Sequence, residues 1–93
     1  MTTTSRYKFI IVSIKFYTTD WCGDCVRSKA LLNKLNVDFE EINVDINSEA
    51  NDYITKLQKN QRRIPTIVFS DDSFLVEPND LELHSKLKEL GIV

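Results

Sequence analysis

The sequence has little of the material from which metal sites, disulfide frameworks and membrane spans are built. Its 93 residues include two cysteines and one histidine, which are too few for a set of disulfide bridges and poorly suited to a structural zinc site. No apolar stretch reaches the roughly 18 residues that a membrane-spanning helix requires. The net charge of -2 gives no electrostatic reason to expect binding to nucleic acid or to an anionic membrane.

Length and composition predict one domain, spanning residues 1–93, with a modest core of its own. Hydrophobic residues make up 42% of the chain, an ordinary share for a protein that folds without disulfide bridges. Residues 1–6 are polar and are expected to be disordered. The apolar run after them is interrupted by Ser13 and Lys15 and lacks a small-residue cleavage site. We therefore expect a cytoplasmic protein, acting as a monomer, rather than a secreted one.

The spacing of apolar residues predicts the element order β-α-β-α-β-β-α. The predicted strands are 9–18, 37–45, 66–70 and 74–76. The predicted helices are 26–36, a segment from a cap at Asn47 or Ser48 to Leu57, and a segment from a cap at Asn79 to a stop at Gly91. Right-handed crossovers predict that the first three strands are parallel, and the short turn at 71–73 adds an antiparallel edge strand. The expected fold class is α/β, with a four-stranded mixed sheet and three flanking helices.

Two helices carry further local predictions. In the first helix the residues near helical spacing are predicted to form the buried face; they are Val26, Ala30, Leu31 and Leu35. In the last helix Glu82 follows Asn79 at the spacing of a capping box.

Both cysteines lie in the stretch Trp21-Cys22-Gly23-Asp24-Cys25, at a predicted turn from strand to helix. In a reducing compartment such a pair is more often catalytic or metal-binding than a permanent bridge. Cys22 falls at the start of the helix, where unpaired N–H groups and the helix dipole favour a thiolate. Cys25 lies one turn later on the same face and can attack a sulfur bound to Cys22. The spacing indicates a thiol–disulfide oxidoreductase with Cys22–Cys25 as its redox disulfide.

Taken in order, these features resemble the short, glutaredoxin-like form of the thioredoxin fold over roughly residues 12–91. They are the CxxC after the first strand, Pro65 just before the third strand, and a hairpin followed by a final helix. Within that superfamily the segments 17–25, 62–66 and 69–73, together with Arg27 and Glu77-Pro78, are similar to the mycoredoxin and glutaredoxin-like branch. The resemblance implies a dithiol reductase of protein disulfides or of low-molecular-weight-thiol mixed disulfides.

The resemblance also implies roles for individual residues. Cys22 would be the nucleophile, Cys25 the resolving cysteine, and Pro65 a cis proline lying against the dithiol. The active-site environment would include Trp21, Gly23, Asp24 and Pro65. The candidate residues for binding substrate or thiol are Arg27, Arg62, Arg63, Ile64 and Asp80. No metal ligands and no bound cofactor are expected, whereas glutathione, mycothiol or bacillithiol is a possible co-substrate.

The residues leave alternatives open. The arginines and Asp80 could equally be solvated charges or helix-capping groups. The sequence carries Gly23-Asp24 where glutaredoxins commonly hold a Pro-Tyr pair, and Asp20 and Asp24 place negative charge beside Cys22. An alternative within the class is a thioredoxin-like electron donor recharged by a flavin-dependent reductase. An alternative from another class is a non-catalytic metal or iron–sulfur carrier.

Overall fold

A four-stranded mixed sheet organises the chain, of which a computed structural model describes residues 14–93. The strands are β1 (Lys15–Thr18), β2 (Glu40–Asn43), β3 (Thr66–Val68) and β4 (Phe74–Val76). The helices are α1 (Gly23–Lys34), α2 (Ser48–Leu57) and α3 (Asp80–Glu89). The predicted element order and the short thioredoxin fold are both confirmed. The expectation for residues 1–6, and the part of the first predicted strand before residue 14, lie outside the described residues.

The predicted direction of the third strand is wrong. The sheet order is β2-β1-β3-β4, and β1 is parallel to β2 but antiparallel to β3. The reason is that the chain enters and leaves the α2 segment at the same end of the sheet. Arg62, after α2, bonds Asp45, before α2, at 2.6 Å. β3 therefore starts where β2 ends and runs the other way, so the handedness rule for parallel crossovers does not apply.

The core lies on both faces of the two central strands. Phe16 and Tyr17 point to opposite faces of β1 and are 0% and 5% exposed, which confirms a strand buried on both faces for residues 16–18 of the first one. The helices cover these faces with side chains that are also 0% exposed; these are Leu32, Ile54, Leu83 and Leu87. Burial of this apolar surface is the main favourable contribution to folding.

The predicted buried face of α1 is wrong in part. Val26 is 63% exposed and Ala30 is also exposed, while Cys25, Ser28 and Leu32 are buried. The helix is rotated because it begins at Gly23 rather than at Val26 and turns the second cysteine inward. A small thiol and a hydroxyl thus occupy positions that the apolar pattern assigned to other residues.

Side-chain caps and left-handed residues define the helix ends. Asn47 caps α2, and Asn79 with Glu82 forms the predicted capping box at α3. All three helices end in the same way: a residue of positive φ and the residue after it donate backbone hydrogen bonds to the last turn. These residues are Asn36, Lys59 and Gly91. Gly91 is the position where the predicted stop is confirmed, and its φ is +74°.

We expect Gly91→Ala to lower the free energy of unfolding by about 1 kcal/mol, because a side chain raises the energy of the left-handed conformation. Urea denaturation measures the change. Gly23→Ala is the matched control: an added Cβ meets nothing within 4 Å at either glycine, and only Gly91 has a positive φ. Equal effects of the two substitutions would show that backbone conformation is not the cause.

Candidate active site

Cys22 is both the first cysteine of the motif and the N-cap of α1. Its backbone is extended, with φ -89° and ψ 112°, which is the ordinary geometry of an N-cap. Its Sγ accepts the backbone N–H of Cys25 at 3.1 Å. The sulfur therefore takes the place of the usual capping oxygen at the positive end of the helix dipole. Cys22 is 7% exposed, so this sulfur sits just beneath the surface.

Cys25 lies deeper, at 1% exposure, and both cysteines are free thiols. Burial raises the pKa of the Cys25 thiol to about 11, and a hydrogen bond with Cys22 adds to the rise. The Thr18 hydroxyl and the backbone N–H of Thr19 act in the opposite direction. Cys25 is thus protonated at neutral pH, as a resolving thiol would be before the first cysteine has reacted.

The segment before β3 forms the wall opposite the dithiol. The Ile64–Pro65 peptide bond is cis, which confirms the expectation for Pro65, and both residues are buried. Cys22 Sγ lies 3.8 Å from the carbonyl oxygen of Ile64, in a contact that the thiol donates. The Ile64 carbonyl is therefore brought to the dithiol, with Pro65 next in the chain.

Gln58, at the end of α2, braces this wall. Its amide nitrogen donates to the Arg63 carbonyl at 3.2 Å and to the Thr66 hydroxyl at 2.8 Å. Its amide oxygen accepts the Arg63 N–H at 3.2 Å. This role of Gln58 could not be predicted from the sequence, because a lone glutamine at a helix end carries no signal of the loop that it will bind.

Trp21 and Arg62 meet at a residue that the sequence analysis did not single out. The Asp45 carboxylate accepts the Trp21 Nε1–H at 3.1 Å through Oδ2 and an Arg62 Nη2–H at 2.6 Å through Oδ1. The backbone N–H of Asp45 is held by Asn43 Oδ1 at 2.9 Å, and Asn43 in turn donates to Asp20 at 3.0 Å. Asp45 joins the segment before Cys22 to the segment before Pro65.

The other predicted charged residues are also paired within the chain. Arg27 donates to Asp80 at 3.0 Å, to Asp24 at 3.5 Å and to the Pro78 carbonyl at 3.2 Å. It thereby ties the first turn of α1 to the start of α3. On the other side Arg63 pairs with Glu77 at 2.9 Å. Of the predicted environment residues, Trp21 is 68% exposed and Gly23 opens α1 with space around it.

Neither a metal cluster nor a membrane span is evident in the part of the chain that the structure describes. Residues 14–93 contain no group of three or more histidine, cysteine or carboxylate side chains placed to hold a metal ion. Within the same residues no helix has the length and apolar character needed to cross a bilayer.

Comparison with known proteins matches this chain to one family. The family model for glutaredoxin matches residues 14–74. A Mycobacterium tuberculosis protein named as a glutaredoxin is 31% identical over 88% of this chain and 98% of its own length. Mycoredoxin 1 of Corynebacterium glutamicum is 29% identical over 85% of this chain and 98% of its own length.

Among solved structures, the glutaredoxin-like protein NrdH-redoxin from Escherichia coli superposes with a TM-score of 0.68 at 25% identity. The alignment covers 81% of this chain and 93% of that one. A glutaredoxin from Archaeoglobus fulgidus gives a TM-score of 0.67 at 24% identity, with 90% of each chain covered. At 24% identity, the likeness to the Archaeoglobus fulgidus protein shows the fold alone.

Because burial is the largest cause of the raised pKa of Cys25, we expect the rise to persist when Cys22 is replaced. In Cys22→Ser the rate of Cys25 alkylation by iodoacetamide should still increase with pH beyond 9.0, the ordinary thiol pKa. Mass spectrometry of timed samples measures the rate. The same variant unfolded in urea is the control and should level off near that ordinary value. If the alkylation rate of the folded variant also levels off near that value, burial does not raise the pKa of Cys25.

Two buried hydroxyls, that of Thr19 before α1 and that of Ser28 in the middle of α1, have no hydrogen-bond partner among the described residues. We expect Ser28→Ala to raise the free energy of unfolding by about 0.5–1.5 kcal/mol, because it removes an unsatisfied polar group and favours the helix. Thr66→Val is the contrasting control, since the equally buried Thr66 hydroxyl bonds the Arg63 carbonyl at 2.6 Å. Urea denaturation should show opposite signs, and a loss of stability in Ser28→Ala would contradict the argument.

Proposed function

The chain belongs to the glutaredoxin family of thiol–disulfide oxidoreductases, and on that premise we propose that it reduces disulfides through Cys22 and Cys25. The substrates are protein disulfides or mixed disulfides of low-molecular-weight thiols. One observation carries the proposal: Cys22 Sγ caps α1 by accepting the Cys25 N–H at 3.1 Å, with the Cys25 side chain buried below it. The sulfur that acts as nucleophile therefore lies at the positive end of the helix, which interacts favourably with negative charge.

In the first step the Cys22 thiolate attacks one sulfur of the substrate disulfide. A bond forms between Cys22 Sγ and that sulfur, the substrate S–S bond breaks, and the other substrate sulfur leaves as a thiolate that takes up a proton. While Cys22 is a thiolate, the Cys25 N–H stabilises its charge, since hydrogen bonds to ionised acceptors are the stronger ones.

In the second step Cys25 loses its proton and attacks Cys22 Sγ. The Cys22–Cys25 disulfide forms, and the remaining substrate sulfur leaves as a thiol, so that two electrons have passed from the protein to the substrate. The high pKa of Cys25 in the dithiol state arises first from burial and then from the hydrogen bond with Cys22. The second contribution ends when Cys22 is bonded to substrate, which favours proton loss at that stage.

The substrate chain would lie between Trp21 and the wall formed by Ile64 and Pro65. The Ile64 carbonyl is 3.8 Å from Cys22 Sγ, so backbone groups beside it can pair with an extended substrate. We propose that Arg27, Arg62, Arg63 and Asp80 provide charged contacts for the substrate. Asp24 belongs to the same set through its pair with Arg27.

The electron source is either a small thiol or a reductase. A relative named mycoredoxin favours a small thiol, of which glutathione, mycothiol and bacillithiol are the candidates. The structural relative described as glutaredoxin-like with a thioredoxin-like activity profile favours a flavin-dependent thioredoxin reductase as the second candidate. In both cases we propose a monomer working in the cytoplasm, where such reductants keep dithiols reduced.

We expect Cys22→Ser to lose at least about a hundredfold of the rate of disulfide reduction, because no other described thiol lies at the helix start. In Cys25→Ser, Cys22 should still attack the substrate disulfide, and a stable mixed disulfide between Cys22 and the substrate should accumulate and be visible by mass spectrometry. Ser28→Ala, which changes a buried neighbour outside the dithiol, is the control. Reduction that survives in Cys22→Ser would overturn the proposed function.

Coupled NADPH oxidation identifies the electron source. Each small thiol is supplied with its own reductase in one arm, and thioredoxin reductase alone is supplied in another. Turnover with one small thiol and not with thioredoxin reductase assigns the glutaredoxin-type cycle, and the reverse result assigns the thioredoxin-type cycle.

A further inference from the structure

We propose that Asp45 is a positioning residue that selects among disulfide substrates by holding Arg62 away from anionic ones. The inference rests on the proposed function and concerns the same dithiol. Asp45 lies outside the CxxC motif and outside the segment around Pro65, and it touches both through side chains.

The two oxygens of the Asp45 carboxylate bind two different side chains. Each oxygen of Asp45 has its own partner, Trp21 on Oδ2 at 3.1 Å and Arg62 on Oδ1 at 2.6 Å. The Asp45 backbone is fixed by Asn43, whose amide nitrogen donates to Asp20. The backbone of Asp45 is thus anchored, and both of its carboxylate oxygens are engaged.

The two partners of Asp45 belong to the two chain segments beside the dithiol. Trp21 directly precedes Cys22, and Arg62 lies two positions before Ile64, whose carbonyl is 3.8 Å from Cys22 Sγ. A substrate that reaches Cys22 passes between these two segments. The side chains of Arg62 and Asp45 are 32% and 41% exposed, so an incoming charged group can meet them.

The charges of Arg62 and Asp45 determine how the pair acts on a charged substrate. Arg62 would be a natural partner for a substrate carboxylate, but in this structure its guanidinium already neutralises Asp45. An anionic disulfide must displace Asp45 or share the guanidinium with it, and in either case it comes close to the Asp45 charge. An uncharged disulfide has no such competition. Asp45 therefore discriminates against substrates that carry carboxylates next to the reacting sulfurs.

The test compares one anionic and one uncharged disulfide, glutathione disulfide and 2-hydroxyethyl disulfide, in single turnover of the reduced protein. Each reaction converts the dithiol and one disulfide into the Cys22–Cys25 disulfide and two small thiols, so no added reductant is needed. Acid-quenched samples analysed by mass spectrometry give the two second-order rate constants. The measured quantity is the ratio of the anionic rate constant to the uncharged one.

We expect Asp45→Asn to raise this ratio by about threefold to fivefold, as suits the release of one partly exposed ion pair. The carboxamide oxygen can still accept the Trp21 N–H, so the fluorescence of Trp21, the only tryptophan, should keep its emission maximum. Added salt should shrink the gain, because the effect is electrostatic. In Asp45→Asn/Arg62→Gln the gain should vanish relative to Arg62→Gln alone.

Glu41→Gln is the matched control. It breaks the Lys29–Glu41 pair, which has the same 2.6 Å length and similar exposure, 28% and 45%, without touching either segment beside the dithiol. An unchanged ratio in Asp45→Asn, a gain that survives Arg62→Gln, or an equal gain in Glu41→Gln overturns the inference while the proposed function stands. A wild-type protein inert toward both disulfides overturns the proposed function and this inference with it.

Discussion

The hydrogen bond from the Cys25 N–H to Cys22 Sγ is the contact on which the site depends. It makes one sulfur do two things, since it caps α1 and is also the reacting atom. A helix whose N-cap is a thiol keeps that thiol at the positive end of its dipole. The nearby carboxylates of Asp20 and Asp24 are paired with Asn43 and Arg27.

What could be predicted from the sequence was what is local in the chain. The CxxC spacing, the turn residues of the hairpin and the capping pair of Asn79 and Glu82 each lie within a few residues, and each formed as predicted. Pro65 was placed correctly by resemblance to a family rather than by its own surroundings. Local patterns suffice here because the geometry of a cap or a turn is fixed by the residues that make it.

What could not be predicted depends on contacts between distant parts of the chain. The direction of β3 follows from where the α2 segment enters and leaves the sheet, which no periodicity records. The buried face of α1 was misjudged because Cys25 and Ser28, rather than Val26, point inward. Asp45 was missed for the same reason: Trp21 and Arg62, its two partners, lie 24 and 17 positions away.

The charged groups around the dithiol contribute little to stability, and we propose that they act on the choice of substrate. Arg27, Arg62 and Arg63 are each paired and partly exposed, and such pairs typically contribute only about 0–1 kcal/mol to folding. The same small energy is a severalfold difference in the rate at which one substrate is preferred to another. A weak interaction can therefore be decisive when it lies between a nucleophile and its substrates. Because buried apolar side chains stabilise the core of this protein, the ion pairs are not needed for stability and can act on substrate preference.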